Sequence, residues 1–153
     1  MRAINHALTG AVIGVLVEEP ALAVPAAFIS HYICDVIPHF GTNRPEKEEL
    51  NSRLFRILLL LDICLCALLV LTLAVYRPHH WALAAICAFA AASPDLFSIN
   101  RYRTARRGGQ PYHNRYIRFA NDIQWFEKPI GAVVEVVWFI AMVIILIPFF
   151  QHR

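Results

Sequence analysis

Five side chains able to bind a metal or move a proton recur at the ends of apolar segments: His6, His31, Asp35, His39 and Asp95. The densest stretch is Ser30-His31-Tyr32-Ile33-Cys34-Asp35-Val36-Ile37-Pro38-His39. Residues four apart on a helix project from one face with β-carbons about 6 Å apart, so His31 and Asp35 can address one ion or each other. A helix offers two ligands to one metal in this way, and a carboxylate can also orient and charge-balance an imidazole. Pro38 disfavours helical backbone at Ile37 and turns the chain so that His39 sits at the same edge. For the HxxxD pattern alone, the competing expectation is a His–Asp hydrogen bond tying this segment to a neighbour.

The elements that must position these residues are apolar blocks. Of the 153 residues, 58% are hydrophobic and 16% charged, whereas an ordinary soluble domain has ~45–50% apolar and ~25% charged residues. This balance excludes a disordered chain and points to one membrane domain covering residues 1–153. The blocks are 3–17, 21–37, 54–76, 81–97 and 130–150, separated by charged or proline-marked breaks. The third and fifth reach the ~20 residues that cross a ~30 Å hydrocarbon core. The others are shorter, and the first two could form a re-entrant hairpin. The expected class is therefore all-α: a polytopic membrane protein with about five apolar helices. Arg2, the first apolar run and Ala21-Leu22-Ala23 mimic a secretory signal, but Glu18 and Glu19 interrupt it before the cleavage position.

Sorting the charges gives an orientation. With five spans, one side holds Arg2, Arg44, Lys47, Arg53, Arg56, Arg101, Arg103, Arg106, Arg107, Arg115, Arg118 and Lys128. The other holds only Arg77 and Arg153, so twelve of the 14 basic residues share one side. The positive-inside bias makes 38–53 and 98–128 cytoplasmic loops of an integral plasma (inner) membrane protein. The N-terminus is then cytoplasmic and the C-terminus outside.

On that topology His6, opening the first helix, and Asp95, after Pro94 at the end of the fourth, share one depth zone with His31, Asp35 and His39. Two or three such ligands with an open position suit a catalytic divalent metal, zinc first, whose bound water would be the nucleophile. Ionisable side chains inside membrane segments usually face the protein interior or a wet cavity. Glu135 joins Asp95 as a candidate catalytic carboxylate, and Asp62 reads as the structural partner of an arginine such as Arg56. Arg101, Arg103, Arg106 and Arg107, followed by Gly108-Gly109, are candidate phosphate contacts. Contact with anionic lipid, which also sets topology, is the plainer reading and requires no nucleic acid.

Residues 112–128 read as an interfacial amphipathic helix, with Tyr112, Tyr116, Phe119, Ile123 and Phe126 spaced 4, 3, 4 and 3 apart. If it is continuous, His113 and Glu127 lie about 21 Å apart and cannot share a metal. His113 is then an extra ligand or a solvated histidine, and Glu127 a helix-end charge. His79 and His80 fall on the opposite side. Cys34, Cys64, Cys66 and Cys87 form no CxxC pair and read as small buried hydrophobes.

A histidine opening the first helix, the HxxxDxxPH run and a later Pro-Asp together resemble the YdjM-like membrane-bound metal-dependent hydrolases. The HxxxD element is also similar to that of zinc-dependent phospholipase C and the P1-type nucleases, which cleave phosphoesters. The chain lacks the HRGxTHS-like stretch that the membrane hydrolases usually carry. The resemblance implies a metal site on His6, His31, Asp35 and Asp95, with His39 nearby. The expected function is a metal-dependent hydrolase at the cytoplasmic face, acting on a phosphoester or lipid-linked substrate among the membrane lipids. Two alternatives remain open. One is a non-catalytic scaffold held by interhelical His–Asp hydrogen bonds; the other is a proton or ion carrier using Asp62, Glu135 and His31.

Overall fold

The computed structural model describes residues 1–42, 44–109 and 114–151. Its helices are α1 (Ala3–Val17), α2 (Pro20–Val36), α3 (Glu46–Asn51), α4 (Arg53–Tyr76), α5 (Trp81–Ala92), α6 (Ile99–Arg106), α7 (Arg115–Ile123) and α8 (Gly131–Gln151), with a 3-10 turn at Ser93–Ser98 between α5 and α6. Among the described residues there is no strand, only an isolated bridge between His39 and Glu127. The all-helical expectation holds.

The first helix is the hub. It packs against α5, α2, α8 and α4, and ten of its residues are buried. Burial on most sides explains why α1 is apolar around its circumference and not on one stripe. Its contact with α5 is the most extensive among the helices. A β-carbon at Gly10 would lie 2.2 Å from the Cys87 carbonyl oxygen, and one at Gly14 would lie 2.6 Å from Ala84 Cα. Ala84, Ala88 and Ala91 of α5, with Ala23 and Ala27 of α2, continue this small-residue seam. Small residues let backbones approach closely where the hydrophobic effect gives little preference between helix and lipid. On the other side α4 and α8 lean on α1, with Leu73 and Leu146 buried against it.

Three helical stretches are long and apolar enough to cross a membrane: Arg53–Tyr76, Trp81–Arg106 and Gly131–Gln151. Helix α1 has 15 residues and α2 has 17, or roughly 22 and 25 Å at 1.5 Å per residue. Both are shorter than the ~30 Å core, so among the described residues three stretches meet the length requirement and α1 and α2 form the short pair that the sequence allows as a hairpin. The turn between them follows from sequence. Glu18 closes α1 in the left-handed region, and Pro20 opens α2 where a missing N–H costs nothing.

The stretch 112–128 is not one helix. Asn114 caps α7 by accepting a hydrogen bond from Ile117 N at 2.8 Å, and α7 ends at Ile123. Tyr112 and His113 lie outside the described residues. Beyond α7 the chain runs beside His39: His39 N donates to Phe126 O and Lys128 N donates to His39 O, both at 3.2 Å. Gly131 makes this approach feasible, since a β-carbon there would sit 2.1 Å from His39 O. Glu127 is therefore a residue of an extended strap and not a helix-end charge.

The α1–α5 contact generates a prediction. Gly10→Leu should destabilise the protein by about 2–3 kcal/mol or more, because the added atoms meet backbone that cannot rotate away. Thermal unfolding in detergent checks this, and Ala67→Leu, at an exposed position on α4, serves as the mild comparison.

Candidate metal centre

The first turn of α1, the end of α2 and the 3-10 turn after α5 converge at one end of the bundle. His6 comes from α1, His31 and Asp35 from α2, and Asp95 from the turn. Asp95 is held there by geometry that proline imposes. Pro94 lacks an N–H, so the chain leaves the α-helical ladder in the tighter 3-10 form. Tyr116 of α7 donates to the Pro94 carbonyl oxygen at 3.4 Å. Burial, together with the neighbouring Tyr32 hydroxyl, pushes the Tyr116 phenol above its ordinary range and keeps it a donor.

Ligand atoms of His6, His31 and Asp95 all lie within 4.8 Å of one another. Ligands of a tetrahedral zinc ion, at about 2.0–2.1 Å from it, are roughly 3.3 Å apart. A closure of at most about 1.5 Å would therefore bring these three onto one ion. The two imidazoles are stacked, with ring centroids 4.0 Å apart. Both are buried, His6 completely, whereas Asp95 keeps exposed surface even though protein atoms crowd its carboxylate. The cluster is thus closed on its histidine side and open at Asp95.

Hydrogen bonds fix one of the rings. His31 Nδ1 lies 2.9 Å from the Ala91 carbonyl oxygen. A carbonyl can only accept, so Nδ1 carries a proton and, in the neutral ring, Nε2 presents a lone pair. That Nε2 lies 3.3 Å from Asp35 Oδ2, which also accepts from Gln124 Nε2 at 2.9 Å. His6 Nε2 lies 3.1 Å from Asp35 Oδ1, near enough for attraction yet misaligned for a hydrogen bond. Neither ring nitrogen of His6 has a directional partner. The Met1 amino group also contacts Asp35. The Asp35 carboxylate thus has the Met1 ammonium as its ionic partner and also faces two imidazole nitrogens, which a proton or a metal cation beside them would stabilise further. The orphaned nitrogens of His6 and the fixed tautomer of His31 fit a bound metal.

His39 belongs elsewhere. Its Nδ1 donates to Ile37 O at 2.8 Å, and its buried Nε2 faces Glu127 Oε1 at 3.4 Å. Glu135 lies on another side of α1, where it accepts from the Arg2 backbone N–H at 3.0 Å. Asp62 has the structural arginine expected of it, but the partner is Arg2 at 3.0 Å and not Arg56. In the basic stretch, Arg101 is engaged by Glu46 and Asn121, while Arg103, Arg106 and Arg107 are exposed. His113 lies outside the described residues. At the far end of the bundle His80 approaches Glu18 at 3.6 Å.

Three participants escape sequence reasoning: Gln124, Arg2 and Asn5. Gln124 is one polar residue among several after an amphipathic run, and nothing in its spacing marks it. Arg2 reads as a topology signal, not as the partner of a carboxylate 60 residues away. Asn5, beside His6, donates to Glu135 O at 3.2 Å. Comparison with family models, curated proteins and solved structures gives no match to this chain.

Asp35 holds the cluster together, which can be tested by its removal. Asp35→Ala leaves buried donors without their acceptor and should cost about 3–5 kcal/mol of stability in thermal unfolding. Cys34→Ala, the neighbouring buried change, removes only a small apolar volume and should cost clearly less.

Proposed function

We propose that this protein is an integral membrane, metal-dependent hydrolase whose site opens at the cytoplasmic face. The observation that carries the reading is the convergence of His6, His31 and Asp95 within 4.8 Å at three helix ends, closed on one side and open on the other. His6, His31 and Asp95 would hold the ion, with zinc the best match to two imidazoles and a carboxylate. The Ala91 carbonyl, which accepts from His31 Nδ1, would back that imidazole as carbonyl acceptors back metal-bound histidines, and Asp35 lies beside the His6 and His31 Nε2 atoms. The resemblance of the HxxxD run and of the Pro-Asp pair to membrane-bound metal-dependent hydrolases supports the same assignment.

A divalent cation at this position would supply Lewis acidity and make a water acidic near neutral pH. The chain's own residues supply the rest. Asp95 has two carboxylate oxygens, so one can face the ion while the other takes a proton from an attacking water. The buried histidines exclude solvent on their side, and substrate approaches past Asp95. Exposed Arg103, Arg106 and Arg107, from the helix that follows Asp95, would attract a phosphoester, free or lipid-linked. Glu135, whose carboxylate accepts from the Arg2 backbone N–H, is assigned no role in the reaction.

Asp35 also favours a second reading. It is contacted by Met1, His6, His31 and Gln124, as expected of a polar knot in a non-catalytic scaffold. The two readings separate cleanly. Detergent-purified protein loaded with zinc and washed should retain about one zinc per chain by elemental analysis, falling at least about fivefold in His6→Ala and His31→Ala. Helical circular dichroism of the variants controls for folding. Zinc absent from the loaded wild type, or equal in folded variants, would establish the scaffold reading. Hydrolysis of a chromogenic phosphodiester should then fall about 10²–10⁴-fold in Asp95→Asn.

A further inference from the structure

The strap before α8 is clamped to the chain that leaves α2. His39 N donates to Phe126 O at 3.2 Å, Lys128 N to His39 O at 3.2 Å and Gly41 N to Lys128 O at 3.3 Å. His39 and Glu127 are opposed in this pairing, and their side chains meet, with Nε2 3.4 Å from Oε1. Gly41 makes room for the carboxylate, since a β-carbon there would lie 2.5 Å from Glu127 Cβ. The backbone thus holds one imidazole and one carboxylate face to face, away from the cluster of His6, His31 and Asp95.

We propose that His39 and Glu127 form a second divalent-metal site, with zinc the best match, in which the ion clips the strap to the end of α2 and water completes its coordination. The imidazole is prepared for an ion. Its Nδ1 donates to the Ile37 carbonyl at 2.8 Å, the kind of bond that fixes the tautomer of a metal-bound histidine. In the neutral ring Nε2 then carries a lone pair. His39 is only 2% exposed, and its Nε2 has no hydrogen-bond partner among the described residues. The rival occupant of the gap is a proton, which would make an ordinary ion pair. Charge-assisted N–H···O bonds run about 2.7–2.9 Å, whereas this gap is 3.4 Å and not directional. Two ligands of a tetrahedral zinc ion, each about 2.0–2.1 Å from it, lie roughly 3.3 Å apart. The pair therefore accepts zinc with almost no movement. Glu127 also lacks another cation. Among the described residues its one ionic contact is His39, and the adjacent Lys128 holds its ammonium over the Phe126 ring, 5.1 Å from the centroid. The Glu127 side chain is half exposed, so water reaches the open positions. Two protein ligands hold an ion less firmly than three, so this site fills from free zinc and empties on washing. It is built on the strap and stands apart from the hydrolase reading.

Amide hydrogen exchange read by peptide mass spectrometry locates such a site. The full chain in detergent is compared without metal, with saturating zinc chloride and with the same concentration of magnesium chloride. Zinc should slow exchange in the peptides carrying the His39, Gly41 and Lys128 amides about tenfold or more, and magnesium should not. The protection should disappear in Glu127→Gln, where the changed side chain is half exposed and unaltered exchange in α1 and α5 shows that the variant is folded. It should persist in His31→Ala, which disables the cluster and leaves the strap intact. No protection of these peptides by zinc in the wild type would overturn the proposal and leave a plain ion pair. Equal protection by magnesium, equal protection in folded Glu127→Gln, or its loss in folded His31→Ala would also overturn it.

Discussion

The close approach of α1 to α5 is the constraint on which the rest of the molecule depends. Gly10 and Gly14 bring the two backbones so near that a methyl group would collide with α5 itself. That contact fixes the height and rotation of α1 relative to α5, and the polar groups follow. It sets His6 over His31, whose ring is anchored to Ala91 of α5. The Pro94-Asp95 turn lies directly beyond the same helix. Four of the first six residues make the decisive polar contacts: Met1 and His6 with Asp35, Arg2 with Asp62 and Glu135, and Asn5 with Glu135. Two polar centres therefore hang from one helix start, on different sides of it.

Such groups are costly in an apolar bundle, and the arrangement shows how the cost is met. Asp62 is matched by Arg2, and Asn5 and the Arg2 backbone both reach Glu135. The Arg2–Asp62 pair matches charge with charge, and the two bonds to Glu135 match donor with acceptor. The histidine cluster is different. His6 is completely buried with neither ring nitrogen in a directional bond, and His31 Nε2 faces a carboxylate. Buried polar groups left in that state cost roughly 1–3 kcal/mol each. A cation is the simplest species that offsets the imbalance, because it bonds lone pairs on nitrogen and oxygen alike.

Depth along the bundle was legible in the sequence, whereas rotation about each helix axis was not. Apolar block lengths marked α4 and α8, and the block ends placed His6, His31, Asp35 and Asp95 at one level. The i, i+4 spacing of His31 and Asp35 settled that they share a face. Nothing local settled which side of α1 Glu135 would approach, and its hydrogen bonds are with Arg2 and Asn5. His39 diverged for a related reason. Pro38 puts the chain in an extended form, whose N–H and C=O must find partners, and Phe126 and Lys128 supply them from almost 90 positions away. That pairing also broke the expected helix at Ile123, with no glycine or proline at the break to announce it. The apolar blocks also marked α1 and α2, whose short length leaves open by sequence whether they span or dip as a hairpin.

The central claim is that two imidazoles and a carboxylate from three helix ends share one ion. X-ray absorption spectroscopy of the zinc-loaded protein addresses it without reference to any substrate. The account predicts a four-coordinate shell at about 2.0–2.1 Å with the multiple-scattering pattern of two imidazoles, reduced in His31→Ala. A shell of oxygens alone, or a two-imidazole pattern unchanged in His31→Ala, would contradict it.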